Sequence, residues 1–124
     1  MKKILLVDDD PQIQKLYNIF LKNAGFAVVS ARDGQEGLAM TDKEKPDLII
    51  LDVMMPVMDG TEMLLKLRQN PAFKNIPALM FSSLANRPED IKFAQEAGAV
   101  DFINKDIDVK ILIAKIKQIL KIPG

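Results

Sequence analysis

The sequence predicts an α/β fold built on a doubly wound parallel sheet, and three observations carry the prediction. Short apolar runs of strand length alternate with longer segments of helical period along the 124 residues. Two of those runs end directly in acids: Ile4-Leu5-Leu6-Val7 leads into Asp8-Asp9-Asp10, and Leu48-Ile49-Ile50-Leu51 leads into Asp52. No repeat, low-complexity tract or linker interrupts the alternation, since Asn70-Pro71 and Asn75-Ile76-Pro77 read as ordinary turns. The organisation is (βα)5.

The predicted strands are Ile4–Val7, Ala27–Ser30, Leu48–Leu51, Ala78–Phe81 and Val100–Ile103. A first helix over Pro11–Ala24 places Ile13, Leu16, Tyr17, Phe20 and Leu21 on one face. Asp10 before Pro11 is its N-cap, and Gly25 stands where a C-cap needs positive φ. A second helix, Gln35–Glu44, is interrupted by Gly37, which also lets helix and sheet approach closely. The third, Gly60–Gln69, follows the capping candidate Asp59 and turns Met63, Leu64 and Leu67 inward. The fourth, Pro88–Ala97, is the least apolar and is expected to be the loosest. The fifth, Asp108–Lys121, gathers Val109, Leu112, Ile113, Ile116, Ile119 and Leu120 on one arc, with Lys110, Lys117, Lys121 and Ile111 off it.

Length and composition exclude several classes of function. A chain of this size fits one domain, 1–124, and buries roughly two thirds of the surface its unfolded form exposes. Lys plus Arg equals Asp plus Glu at 17 each, so the balance carries no footprint for nucleic acid or an anionic membrane. Without cysteine there is no disulfide or thiolate, and without histidine no imidazole base or ligand, so any metal must be held by oxygens. Met1-Lys2-Lys3 and four apolar residues are too short for a signal peptide or a membrane span, which makes a cytoplasmic location the expectation.

If the first and third apolar runs are neighbouring strands, Asp8, Asp9 and Asp52 meet at one sheet edge. Close like charges there repel by roughly 4 kcal/mol per pair at an effective dielectric near 20, so the arrangement makes sense around a divalent cation. Ligands of such sheets bind beyond the carboxyl ends of the strands at the topological switch point. Ser82-Ser83 after the fourth run and Lys105 after Ile103-Asn104 fall at the same edge. A lone lysine or serine after a strand is ordinarily a solvated turn or a helix cap; the convergence is the signal. The seven methionines, Met54, Met55 and Met58 among them, read as gap-fillers and loop anchors.

The stretches LLVDDD, LIILDVMMPVMDG, LMFSS and GAVDFINK together span the chain and resemble the receiver domain of two-component response regulators. The resemblance implies a flavodoxin-like fold with strand order 2-1-3-4-5. It implies that Asp52 accepts a phosphoryl group from a phosphohistidine on a sensor kinase or phosphotransfer protein. Mg²⁺, with Mn²⁺ as a substitute, would be held by Asp8, Asp9, Asp52 and the backbone carbonyl of Met54, with Asp8 acting mostly through a bound water. Ser82 would contact the phosphoryl group, Lys105 would be its cationic partner, and Ser82 and Phe102 would form the switch. Such a chain is a signalling domain that catalyses only its own phosphorylation and dephosphorylation. Output would pass by protein contact through the face of the fourth helix, fifth strand and fifth helix, where Phe93 is a candidate contact. A transient homodimer is a further candidate, and nucleic acid and membrane are not expected partners. A stand-alone regulator and a receiver within a longer protein fit equally.

Three departures from the family pattern bear on the site. Asp106 follows Lys105 where the family usually has proline, which leaves the aim of Lys105 open. The stretch from Ser82 to Lys105 is one residue longer than is common, so Ser83 competes for the hydroxyl role, although the phase of Leu79-Met80-Phe81 favours Ser82. Met54 and Leu84 are apolar where polar side chains often flank the path of attacking water. Three rival functions remain. A metal-dependent phosphohydrolase would need an acid two residues after Asp52, where Met54 stands. A flavin- or nucleotide-binding domain would find its phosphate repelled by Asp8-Asp9-Asp10. A receiver-like adaptor that is never phosphorylated is left open by Asp106.

Overall fold

In the computed structural model the described residues are 1–53, 55, 57–82, 92 and 94–122. Five strands form one all-parallel sheet: β1 (Lys3–Val7), β2 (Ala27–Ala31), β3 (Leu48–Asp52), β4 (Ala78–Ser82) and β5 (Asp101–Asn104). Their order is β2-β1-β3-β4-β5, the flavodoxin-like arrangement. The helices are α1 (Pro11–Asn23), α2 (Gly34–Glu44), α3 (Gly60–Gln69) and a C-terminal helix (Val109–Ile119). Half of the helix predicted over Pro88–Ala97 lies outside the described residues; within it Lys92, Ala94, Gln95 and Glu96 are helical.

Successive strand residues point to opposite faces, so each inner strand feeds two core layers. Leu5, Val7, Ile49, Leu51 and Met80 pack with Met63, Leu64 and Leu67 of α3. Ile4, Leu6, Leu48, Ile50, Leu79 and Phe81 pack with Tyr17 and Leu21 of α1 and with Leu112 and Ile116 of the C-terminal helix. Covering both faces is what allows near-continuous apolar strands, and each fully buried aliphatic side chain contributes about 1.5–3 kcal/mol. None of the described helices is long and apolar enough to cross a membrane.

The local signals act as the sequence predicts at most helix ends. Asp10 caps α1 by accepting from the Gln12 amide at 2.9 Å, Asp59 caps α3 by accepting from the Glu62 amide at 2.9 Å, and Gly25 adopts φ +96°. A Cβ on Gly37 would stand 2.8 Å from the Met63 sulfur and 3.2 Å from a Val7 methyl, so a larger residue would require the Met63 side chain to move for α2 to keep this distance. On the C-terminal helix Ile111 faces outward, as its phase requires. Leu16 is the correction: expected on the buried face of α1, it is 45 % exposed. It lies about 100° around the helix from Tyr17, the centre of the buried stripe, whereas Ile13 and Leu21 lie about 40° to either side. On the stripe's other flank, about 60° from Tyr17, stands the half-buried Gln14.

Candidate functional site

Parallel register sets Val7 opposite Leu51, so the residues that follow, Asp8 and Asp52, emerge side by side at the carboxyl edge. Both are buried, at 1 % and 6 % exposure, while Asp9 faces solvent. One carboxylate oxygen from each of Asp8, Asp9 and Asp52 lies within 4.8 Å of the others. Lys105, just beyond β5, brings its Nζ to 2.9 Å from Asp8 Oδ2 and 3.3 Å from Asp52 Oδ2. The ammonium also stands 5.9 Å from the centre of the Phe81 ring. Burial works against its charge, but the close ion pair with Asp8 and the field of Asp52 outweigh that penalty and hold the Lys105 pKa above its ordinary value.

The β1–α1 loop is fixed by its own polar groups. The Asp8 amide donates to Ala31 O at 3.0 Å, the Asp10 amide to Asp8 Oδ1 at 2.9 Å and the Gln14 amide to Asp10 O at 3.0 Å. One oxygen of Asp8 is thus taken by backbone. The other, Oδ2, is fully buried and accepts no directed hydrogen bond among the described residues, leaving the Lys105 charge as its partner. Asp9 makes no hydrogen bond or ion pair among the described residues. A buried Asp8 oxygen held only by the Lys105 charge and an Asp9 carboxylate open to water are the kind of oxygen donors that a small hard divalent cation takes. The residues therefore fit such an ion.

Ser82 closes β4, is 5 % exposed, and accepts the Lys105 amide on its carbonyl at 3.0 Å. The Lys105–Asp106 peptide is trans. In place of proline, Asn104 shapes the turn: its Oδ1 accepts the Asp106 amide at 2.8 Å and its carbonyl accepts the Ile107 amide at 3.0 Å. The Tyr17 hydroxyl donates to Lys105 O at 3.4 Å from the α1 side. Burial raises the Tyr17 pKa, Lys105 opposes that, and Asp106 adds to it. Phe102, partly buried, packs against the core layer shared with α3. Met54, Ser83, Leu84 and Phe93 lie outside the described residues.

The structure brings together Asp8, Asp9, Asp52 and Lys105, with Ser82 tied to Lys105 through the backbone. Gln14, Asn104 and Tyr17 also shape the site and were not singled out from the sequence for it; Asn104-Lys105-Asp106 does carry an Asx-turn signal. A carboxylate held between a fixed ammonium and further acids suits phosphoryl transfer, in which positioning and charge neutralisation are the main requirements.

A family model for the response regulator receiver domain matches residues 4–117. The chain is 40 % identical over 124 residues to the alkaline phosphatase synthesis transcriptional regulatory protein PhoP of Bacillus subtilis, covering 97 % of this chain and 49 % of that protein. It is 37 % identical over 121 residues to the transcriptional regulator RpaA of Synechocystis, covering 98 % of this chain and 50 % of that protein. The chain thus spans about half the length of these relatives. The structure of the chemotaxis response regulator CheY4 of Vibrio cholerae superposes with a TM-score of 0.89 at 34 % identity, over 96 % of this chain and 98 % of that one. With the fold, the edge of acids and these likenesses in agreement, the chain belongs to the response regulator receiver domain family.

Proposed function

We propose that Asp52 of this receiver domain accepts a phosphoryl group from a phosphohistidine on a sensor kinase or phosphotransfer protein. The observation that carries the reading is the Lys105 ammonium set 2.9 Å from Asp8 and 3.3 Å from Asp52 beside the open carboxylate of Asp9. A carboxylate oxygen of Asp52 attacks phosphorus, the P–O bond forms as the P–N bond breaks, and the imidazole nitrogen leaves with the electron pair. Lys105 then follows the charge from Asp52 to the new phosphoryl oxygens, and the Ser82 hydroxyl donates to one of them. Asp8, Asp9, Asp52 and the Met54 carbonyl would hold Mg²⁺, or Mn²⁺, which when bound neutralises charge on the transferring group. Asp8 would act mostly through water.

When Ser82 moves toward the new oxygens it vacates space into which Phe102 turns, so a local charge change biases a surface element. The surface beside Phe102 supports this output: Asp106 and Lys115 flank a shallow cavity of about 460 Å³ there, and Lys115 pairs with Asp101 at 2.7 Å. A downstream protein, or transiently a second copy, would read the face made by the 88–97 segment, β5 and the C-terminal helix, in the cytoplasm. The domain would catalyse only its own phosphorylation and dephosphorylation. The approach of Lys105 to Asp52 favours this reading over an adaptor that is never phosphorylated. Incubation with acetyl phosphate and Mg²⁺ should add one phosphoryl group by intact mass, and an Asp52→Asn variant that still gains it overturns the assignment.

A further inference from the structure

We infer that Gln14 is a positioning residue for the metal-binding acid pair, acting through the carbonyl ends of β1 and β2; this rests on the function proposed above. A carbonyl oxygen has two lone pairs, and Ala31 O already accepts the Asp8 amide on one of them. Gln14 reaches back from α1 to add a further donor at the strand ends. Its Nε2 donates at 3.0 Å to Leu6 O, 3.0 Å to Asp8 O and 2.9 Å to Ala31 O. Three carbonyls around one atom demand the nitrogen end of the amide, and its two hydrogens are shared among them.

A second row holds the helper in place. Asn18 Nδ2 donates to Gln14 O at 2.7 Å and to Ser30 Oγ at 3.1 Å, with Gln14 Oε1 at 3.5 Å. The Asp8 residue is gripped at both ends, its amide on Ala31 O and its carbonyl on Gln14. That fixes the plane of the Asp8–Asp9 peptide. Asp9 has no tether of its own among the described residues, and this plane fixes where its Cα stands, the point from which its carboxylate reaches the site. Gln14, Asp8 and Asp9 line one open cavity of about 490 Å³. Arg32 and Glu36 line the same cavity. Glutamine supplies its donors there without adding a further charge beside the acids.

Gln14→Met removes the donors at similar volume, and Gln14→Lys keeps donors but adds charge. Mg²⁺ titration followed by NMR should show affinity about tenfold weaker in Gln14→Met, the scale at which groups orienting metal ligands act. Saturating Mg²⁺ should restore its rate of phosphorylation by phosphoramidate, which separates positioning from loss of a reacting group. In metal-free protein the Asp8 and Asp10 amides should exchange faster in Gln14→Met, while Gln14→Lys keeps their protection and still loses Mg²⁺ affinity. Asn18→Ala, a milder change, should shift affinity in the same direction. Mg²⁺ affinity within about twofold of wild type and unchanged exchange at Asp8 and Asp10, with only the melting temperature lowered, would overturn the inference and leave a merely structural glutamine. Wild type that binds no Mg²⁺, or Asp9→Ala that binds as well as wild type, would instead overturn the function proposed above, and the inference with it.

Discussion

Replacing Lys105 by methionine tests the electrostatics of the site directly. The ammonium lies 2.9 Å from Asp8 Oδ2 and 3.3 Å from Asp52 Oδ2. At an effective dielectric near 20, unit charges at these separations attract by about 6 and about 5 kcal/mol. Most of that gross attraction is offset by taking three charged groups out of water, so the net value is far smaller than the sum. What remains on deletion is the cost of leaving two buried carboxylates facing each other, roughly 3 kcal/mol, the lower part of the range for a broken buried pair because the lysine side chain is 18 % exposed. Urea unfolding without divalent ions should therefore show Lys105→Met less stable by about 3 kcal/mol. Added Mg²⁺ should close part of the gap, since a cation among the acids no longer meets a competing ammonium and its binding adds stability by mass action. A metal-free loss under about 1 kcal/mol, the level of a surface pair, would refute the reasoning. So would a gap that Mg²⁺ leaves untouched.

The pH dependence of the same pair has a definite sign: a lysine pKa raised in the folded state gives stability that is fully present below the ordinary value of 10.5 and is lost as pH rises through the folded pKa. The difference between wild type and Lys105→Met should therefore be flat near neutrality and narrow only in strongly alkaline urea melts. Asp9→Ala should abolish most Mg²⁺ affinity and yet leave metal-free stability unchanged or higher, read by titration and thermal melting, because one of three crowded carboxylates is gone. Val57 holds φ +67° at 76 % exposure, a costly conformation for a β-branched residue, so Val57→Asn should raise stability by about 1 kcal/mol, measured by urea unfolding. Exchanging Met54 and Leu84 for Asn and Glu should speed loss of the phosphoryl group by about tenfold, a barrier change of ~1.4 kcal/mol, measured as decay after removal of the donor.

Asp8, Asp9, Asp52 and Lys105 were legible as one cluster because each stands within two residues of the end of an apolar run, and a parallel sheet brings such residues to one edge. Leu16 was misread because six apolar residues on α1, Ile19 among them, permit more than one phase, and only packing against the sheet selects the stripe centred on Tyr17. Gln14 stayed hidden for a related reason. A glutamine beside an apolar stripe reads as the wet flank of a helix, and its partners are main-chain carbonyls, which no residue pattern announces. The effect of the missing proline after Lys105 could not be settled from composition, because the turn is shaped by the Asn104 side chain and the Tyr17 hydroxyl, the latter arriving from 88 residues away.

The placement of the acids and the lysine at strand ends separates two kinds of change that a protein can accumulate. Their positions are dictated by ladder register, with Val7 beside Leu51 and Ser82 beside Asn104, and no stretch of loop intervenes to be retuned. Leu16, Ile19, Leu65 and Ile111 are exposed on outer helix faces and share none of that register. Substitutions at such remote positions combine with site variants almost additively. Outer faces can thus be rewritten for new partners while the chemistry stays constant, whereas a one-residue slip of β1 against β3 would turn every core side chain of β1 to the wrong layer and take the site with it.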